Sequence, residues 1–84
     1  MDEANGIKVI ELSTGAKAEI LTGKGKHAQK ALQITGGDQS KYLGALMAQL
    51  VLIDGNPVVM EDLEEMPLKD YMAISEAFSE QNFI

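Results

Sequence analysis

The sequence predicts an α+β domain, with an N-terminal β-hairpin followed by a small bundle of three or four short helices. Three observations carry this prediction. Two short apolar segments of near-alternating character, Ile7 to Leu12 and Ala16 to Leu21, flank Ser13-Thr14-Gly15. Tyr42, Leu43, Leu46, Met47, Leu50 and Val51 recur at three- and four-residue spacing. Gly36-Gly37, Asp54-Gly55-Asn56-Pro57 and Pro67 divide the rest into pieces of helical length.

Taken in order, the two apolar segments read as the strands of a hairpin that turns at Gly15. From Gly25 to Ile34, Ala28, Ala31 and Leu32 share one face while Lys26, Gln29, Lys30 and Gln33 lie elsewhere, the pattern of a short amphipathic helix. Gly36-Gly37 stops it, and Asp38 is placed to cap the next helix through its carboxylate. That next helix, running to Val51, has the strongest periodicity in the chain and is expected to be the core helix. Asp54-Gly55-Asn56-Pro57 ends it, and Leu52-Ile53 facing Val58-Val59 form a candidate second, minimal hairpin over residues 52–59. Glu61 to Met66 reads as one helical turn with its acids near the positive end of the dipole. Pro67 suits the first turn of a last helix carrying Leu68, Tyr71, Met72, Ile74 and Phe78.

A chain of 84 residues fits one domain, since a fold of this size removes only roughly 60–65% of its unfolded surface from water. The domain is read as residues 1–84, with 1–6 and 80–84 as frayed ends. Hydrophobic residues make up 45% of the chain, but Tyr42, Tyr71, Phe78 and Phe83 are its only aromatics, so the core must be aliphatic and methionine. The absence of cysteine excludes disulfides, thiolate metal sites and a cysteine nucleophile, and suits a reducing cytoplasm. MDEANG has neither the basic nor the apolar region of a secretory signal. Leu43 to Ile53 falls short of the roughly 18 apolar residues that span a bilayer, so no membrane association is expected.

The net charge of −6 is unevenly spread: residues 54–84 hold Lys69 against eight acids. A field of that sign repels phosphate backbones, so nucleic acid is not an expected partner. Lys24, Lys26 and Lys30 read as a solvated helix face.

The motifs that resemble chemistry are incomplete. Asp54, Asn56 and Glu65 match positions one, three and twelve of a calcium loop, but Val58 and Val59 occupy the fifth and sixth, where a ligand and a glycine are required. Gly23-Lys24-Gly25-Lys26 lacks the upstream glycine and the following hydroxyl of a phosphate loop. His27 is the lone histidine, with no nucleophile and orienting acid to complete a catalytic set. Asp38-Gln39-Ser40 differs from the acyl-carrier motif, which has serine directly after aspartate. No catalytic residue, cofactor or metal site is therefore expected.

Read as an ordered set, Ser13-Thr14-Gly15, Leu21-Thr22-Gly23-Lys24, Ile53-Asp54-Gly55-Asn56-Pro57-Val58, Glu61-Asp62-Leu63 and Met66-Pro67-Leu68-Lys69-Asp70-Tyr71 carry a resemblance. The chain resembles the phage tail assembly chaperone family, the small tail proteins named E, 41 or 14, from about Lys8 to Phe78. It departs from the family pattern at Met66, where members often have leucine, and after Lys24, where an acid is usual. The resemblance implies a non-catalytic, cytoplasmic protein of a phage or prophage that binds the tape measure protein, with the tail tube protein as a further partner, during tail assembly.

On that reading the contact is expected on Tyr42, Leu46, Met47, Leu50, Tyr71, Met72 and Phe78, with Glu61, Asp62, Glu64 and Glu65 giving solubility and steering. The same apolar residues are the candidates for the core, and their faces also leave room for weak self-association. A competing class is a small acidic regulator, antitoxin-like or a nucleic-acid mimic, that binds a basic protein through the charge of residues 54–84.

Overall fold

A computed structural model describes residues 7 to 83, and within it the first hairpin pairs β1 (Ile7–Glu11) antiparallel with β2 (Lys17–Leu21). The pairing runs from Ile7 opposite Leu21 to Glu11 opposite Lys17. Gly15 turns the chain at φ +92°, a conformation that disfavours any side chain. The strand alternation buries Ala18 and Ile20 completely on one face and leaves Ile7 and Val9 exposed on the other.

Helix α1 (Gly25–Thr35) opens with the Lys24 N–H donating to His27 Nδ1 at 2.9 Å, so the single histidine holds the first turn. It ends where Gly36 and Gly37, both at positive φ, donate their N–H groups to the Gln33 and Leu32 carbonyls. Asp38 then caps α2 (Gln39–Leu50), accepting the Ser40 N–H at 3.0 Å. The Ser40 hydroxyl, the Ser40 N–H and nearby Lys41 together hold the Asp38 carboxyl below its ordinary pKa.

The expected extent of the core helix needs one correction. Val51 does not belong to α2; it opens β3 (Val51–Ile53), with no loop between helix and strand. The apolar run Val51-Leu52-Ile53 meets the free side of β2, with Val51 opposite Ile20 and Ile53 opposite Ala18. The second hairpin is present, but its partners are shifted from the expected ones. Asp54 and Gly55, at φ +51° and +82°, make a two-residue turn of type I′, which brings Asn56 opposite Ile53 and Pro57 opposite Leu52. Asn56–Pro57 is therefore β4, while Val58 turns inward at 8% exposure and Val59 outward. The result is one antiparallel sheet in the order β1-β2-β3-β4.

Asp62 caps α3 (Met60–Glu65) by accepting the Val59 N–H at 3.0 Å, and Pro67 precedes α4 (Leu68–Asn82). Helix α4 lies across β1 and β2, α1 runs along α2, and α3 packs against α2. Ile20, Met47, Val51, Ile74 and Phe78 are the largest fully buried side chains, drawn from sheet, α2 and α4 alike.

Both ends of α4 are tied to the first hairpin. At its start, the buried Asp70 carboxylate accepts the Ser13 N–H at 2.9 Å and the Ser13 hydroxyl at 2.7 Å. At its end, Asn82 accepts the Gly23 N–H at 2.6 Å and donates to the Leu21 carbonyl at 3.1 Å, while Gln81 donates to the Thr22 hydroxyl at 2.9 Å. Lys8 and Glu80 form an ion pair between β1 and the last turn. Gly23 lies where Asn82 and Leu50 converge: a Cβ there would stand 2.6 Å from Leu50 Cδ1 and would have to displace the end of that side chain. Residues 80–82, expected at a frayed end, are thus the anchored last turn of α4, and Phe83 sets its ring edge-on to Phe78 at 5.6 Å. Residues 1–6 and Ile84, also expected to fray, lie outside the described residues.

Two measurements check these ties. Asn82→Ala leaves the partly buried Gly23 N–H without its acceptor, and urea denaturation should show a loss of about 1–2 kcal/mol. Asp70 has its pKa lowered first by the Ser13 N–H and then by the Ser13 hydroxyl. A depressed folded-state pKa contributes stability that is complete above the unfolded value near 3.9 and disappears as pH falls through the folded value. Asp70→Asn should therefore lower the melting temperature at neutral pH and flatten its decline below about pH 4.

Candidate functional site

The fold divides the seven expected contact residues into two groups. Leu46, Met47, Leu50 and Phe78 are between 0% and 6% exposed and belong to the core, so they are corrected from contact surface to packing. They share one buried cluster with Ile20, Val51 and Ile74. Met72 is 57% exposed, and Tyr42 and Tyr71 are half-buried against the core. A partner can reach only these three.

A wide concavity lies elsewhere, between the end of α1, α2 and the segment leading into α3. It opens over about 610 Å³ and is lined by Ile34, Ala48, Val59 and Met60, above the buried Ala45 and Val58. Lys41 and Gln49 stand on one wall, Glu61 and Glu64 on the other. Each element places its side chains for a local reason. Ala45 and Ala48 occupy one stripe of α2 at three-residue spacing, and their small side chains leave the depression open. The early return of the Asp54-Gly55 turn frees Val58 and Val59 from the sheet to form the floor's edge. Asp62 caps the first turn of α3, and Glu61 and Glu64 of that helix line the groove.

Apolar surface continues beyond this groove. Leu43 and Tyr71 meet Met60 and Leu63 in a smaller depression shared by α2, α3 and α4, and Met66 and Leu68 border another beside Leu63. Ile34, Val59, Leu68 and Met72 are each more than half exposed. Tyr42 faces a separate small cleft with Gly23, Phe78 and Asn82.

Ile34, Ala48, Val59 and Met60, the accessible lining of the groove, were not among the residues expected from the sequence to meet a partner. A signal for part of this set exists: Lys41, Ala45 and Ala48 form a second stripe on the helix whose Leu and Met face is the core. Val58 and Val59 gave none, because their release from the sheet depends on which residues close the turn.

The incomplete motifs are occupied by structural roles. The Asp54 carboxylate accepts the Lys17 N–H at 3.0 Å and so pins the turn to β2. Among the described residues no group of three His, Asp or Glu side chains is arranged to hold a metal ion. In the Gly23-Lys24-Gly25-Lys26 segment, the first two N–H groups are taken by Asn82 and His27 and are not offered to an anion. The Ser40 hydroxyl donates to Asp38 at 2.7 Å within the α2 cap. No described helix is long and apolar enough to cross a membrane.

Comparison with known proteins returns no match to any family model, to any curated protein or to any solved structure.

Proposed function

We propose that the chain is a non-catalytic tail assembly chaperone that covers an apolar helical segment of the tape measure protein in the host cytoplasm, with the tail tube protein as a second partner. The observation that supports this reading most directly is the apolar groove between α1, α2 and α3 with Glu61 and Glu64 along one wall. A helix in a groove presents anchors at three- and four-residue spacing to such a floor. Met60 on that floor is a pliable side chain able to fit varied apolar anchors, and the neighbouring acids give the complex a charged, soluble exterior. The ordered motifs from Ser13 to Tyr71 point to the same family.

Co-expression with a tape measure protein, followed by affinity capture and size-exclusion chromatography at low and high salt, tests the reading. A soluble complex that persists at high salt is expected, since apolar burial is not screened by ions. Val59→Asp should reduce its recovery at least about tenfold. Aspartate is a favoured residue directly before a helix, so this variant should keep its own stability within about 0.5 kcal/mol. Met72→Asp, equally exposed, should also weaken the complex without unfolding the domain. An insoluble tape measure protein with this domain left free would refute the proposal. A complex that dissociates in salt and ignores Val59→Asp would also refute it, and would indicate an acidic regulator instead.

A further inference from the structure

The two edges of the sheet are built differently. β4 is two residues long and carries Pro57. Ile53 and Asn56 close the type I′ turn as a bonded pair, so the next position, Pro57, turns its nitrogen away from β3, and that nitrogen bears no hydrogen. Another strand finds no donor there.

β1 is five residues long and uninterrupted, and no described strand lies on its outer side. The phase of its ladder follows from one bond at the turn, the Leu12 N–H to the Ala16 carbonyl at 2.8 Å. Alternation then gives Ile10 and Lys8 the bonded pairs with Ala18 and Ile20, and turns the N–H and C=O groups of Ile7, Val9 and Glu11 outward. The Asp54 N–H bonded to the Lys17 carbonyl at 2.8 Å confirms the phase, since Lys17 bonds toward β3 and its partner Glu11 does not bond toward it. Ile7 and Val9 are 51% and 54% exposed, so the edge combines apolar side chains with backbone that has no strand partner among the described residues.

We propose that this edge joins two copies of the chain, β1 pairing antiparallel with β1 of the second copy about a two-fold axis at Val9. Core-facing side chains must stay on one face of the joined sheet, which restricts the axis to pass through a residue. An axis at Lys8 would oppose two ammonium groups. An axis at Ile10 would set Ile7 against Ser13, whose N–H is already given to Asp70. An axis at Val9 sets Val9 against itself and Ile7 against Glu11, and every outward donor and acceptor of the three residues then finds its mate. Charge agrees with this register. Lys8 of one copy lies opposite Ile10 of the other, and Ile10 shares a surface groove with Glu76 and Glu80 of α4. Each Lys8, already paired with its own Glu80, thereby approaches Glu76 of the second copy. The contact is small, so dissociation constants of roughly 10 µM to 1 mM are expected.

Sedimentation velocity of the full chain across that range, with amide hydrogen exchange at its two ends, tests the proposal. The wild-type chain should pass from monomer to dimer as concentration rises. The Ile7, Val9 and Glu11 amides should gain protection with it, while those of Lys8, Ile10 and Leu12 stay independent of concentration. Val9→Pro removes only an outward N–H at an edge position and should raise the dissociation constant at least about tenfold. Val9→Thr keeps the N–H and should still dimerise. A chain that remains monomeric throughout would overturn the proposal. A dimer that survives Val9→Pro, or one that forms without slowing those three amides, would also overturn it by placing the contact on another face such as the α2–α3 groove. If Val9→Pro fails to fold, the wild-type exchange pattern decides alone.

Discussion

The return of α4 to the first hairpin is the constraint on which the other elements depend. Ala18 and Ile20 are completely buried on the strands that α4 packs against, and α4, which brings Ile74 and Phe78 to the same core, is held at each end by side-chain hydrogen bonds. Asp70 and Asn82 bond mainly to backbone groups of the strands and their connections, so they fix position along the hairpin as well as contact with it. With α4 placed, α2 meets it where the Ser75 hydroxyl approaches the Met47 sulfur, and α1 and α3 pack against α2.

The parts of this arrangement that could be read from the sequence are those set by neighbouring residues. Glycine at positive φ ended α1, an Asx cap began α2, and alternation with Ser13-Thr14-Gly15 marked the first hairpin. The joining of β3 to β2 left no local trace, because Val51-Leu52-Ile53 follows a helix with matching apolar spacing and its pairing with Ala18 and Ile20 spans more than thirty residues. Asp70 and Asn82 also read as ordinary polar residues of a helix, and only their distant partners show what they do.

The candidate site was partly legible for the same reason. Periodicity marks the apolar face of a helix without saying whether a neighbour or a partner covers it, so Leu46, Met47, Leu50 and Phe78 were indistinguishable from Met72 until α4 was placed. The groove arises from a different pattern, small residues on α2 opposite a pair of valines released from the sheet, and its floor shares no residue with the β1 edge. Occupants of the two surfaces draw on separate side chains.

The two clamps on α4 also set an order of events during synthesis. A hairpin closes in about 1–10 µs. Residues 70 to 82, which hold its buried face covered, follow Leu21 by an interval that takes roughly 3–10 s at ordinary translation rates. Until they follow, Ala18 and Ile20 lack the helix that packs on their strands in the finished fold. The apolar face of the first hairpin therefore closes only with the last part of the chain, through contacts 57 and 59 residues apart in sequence.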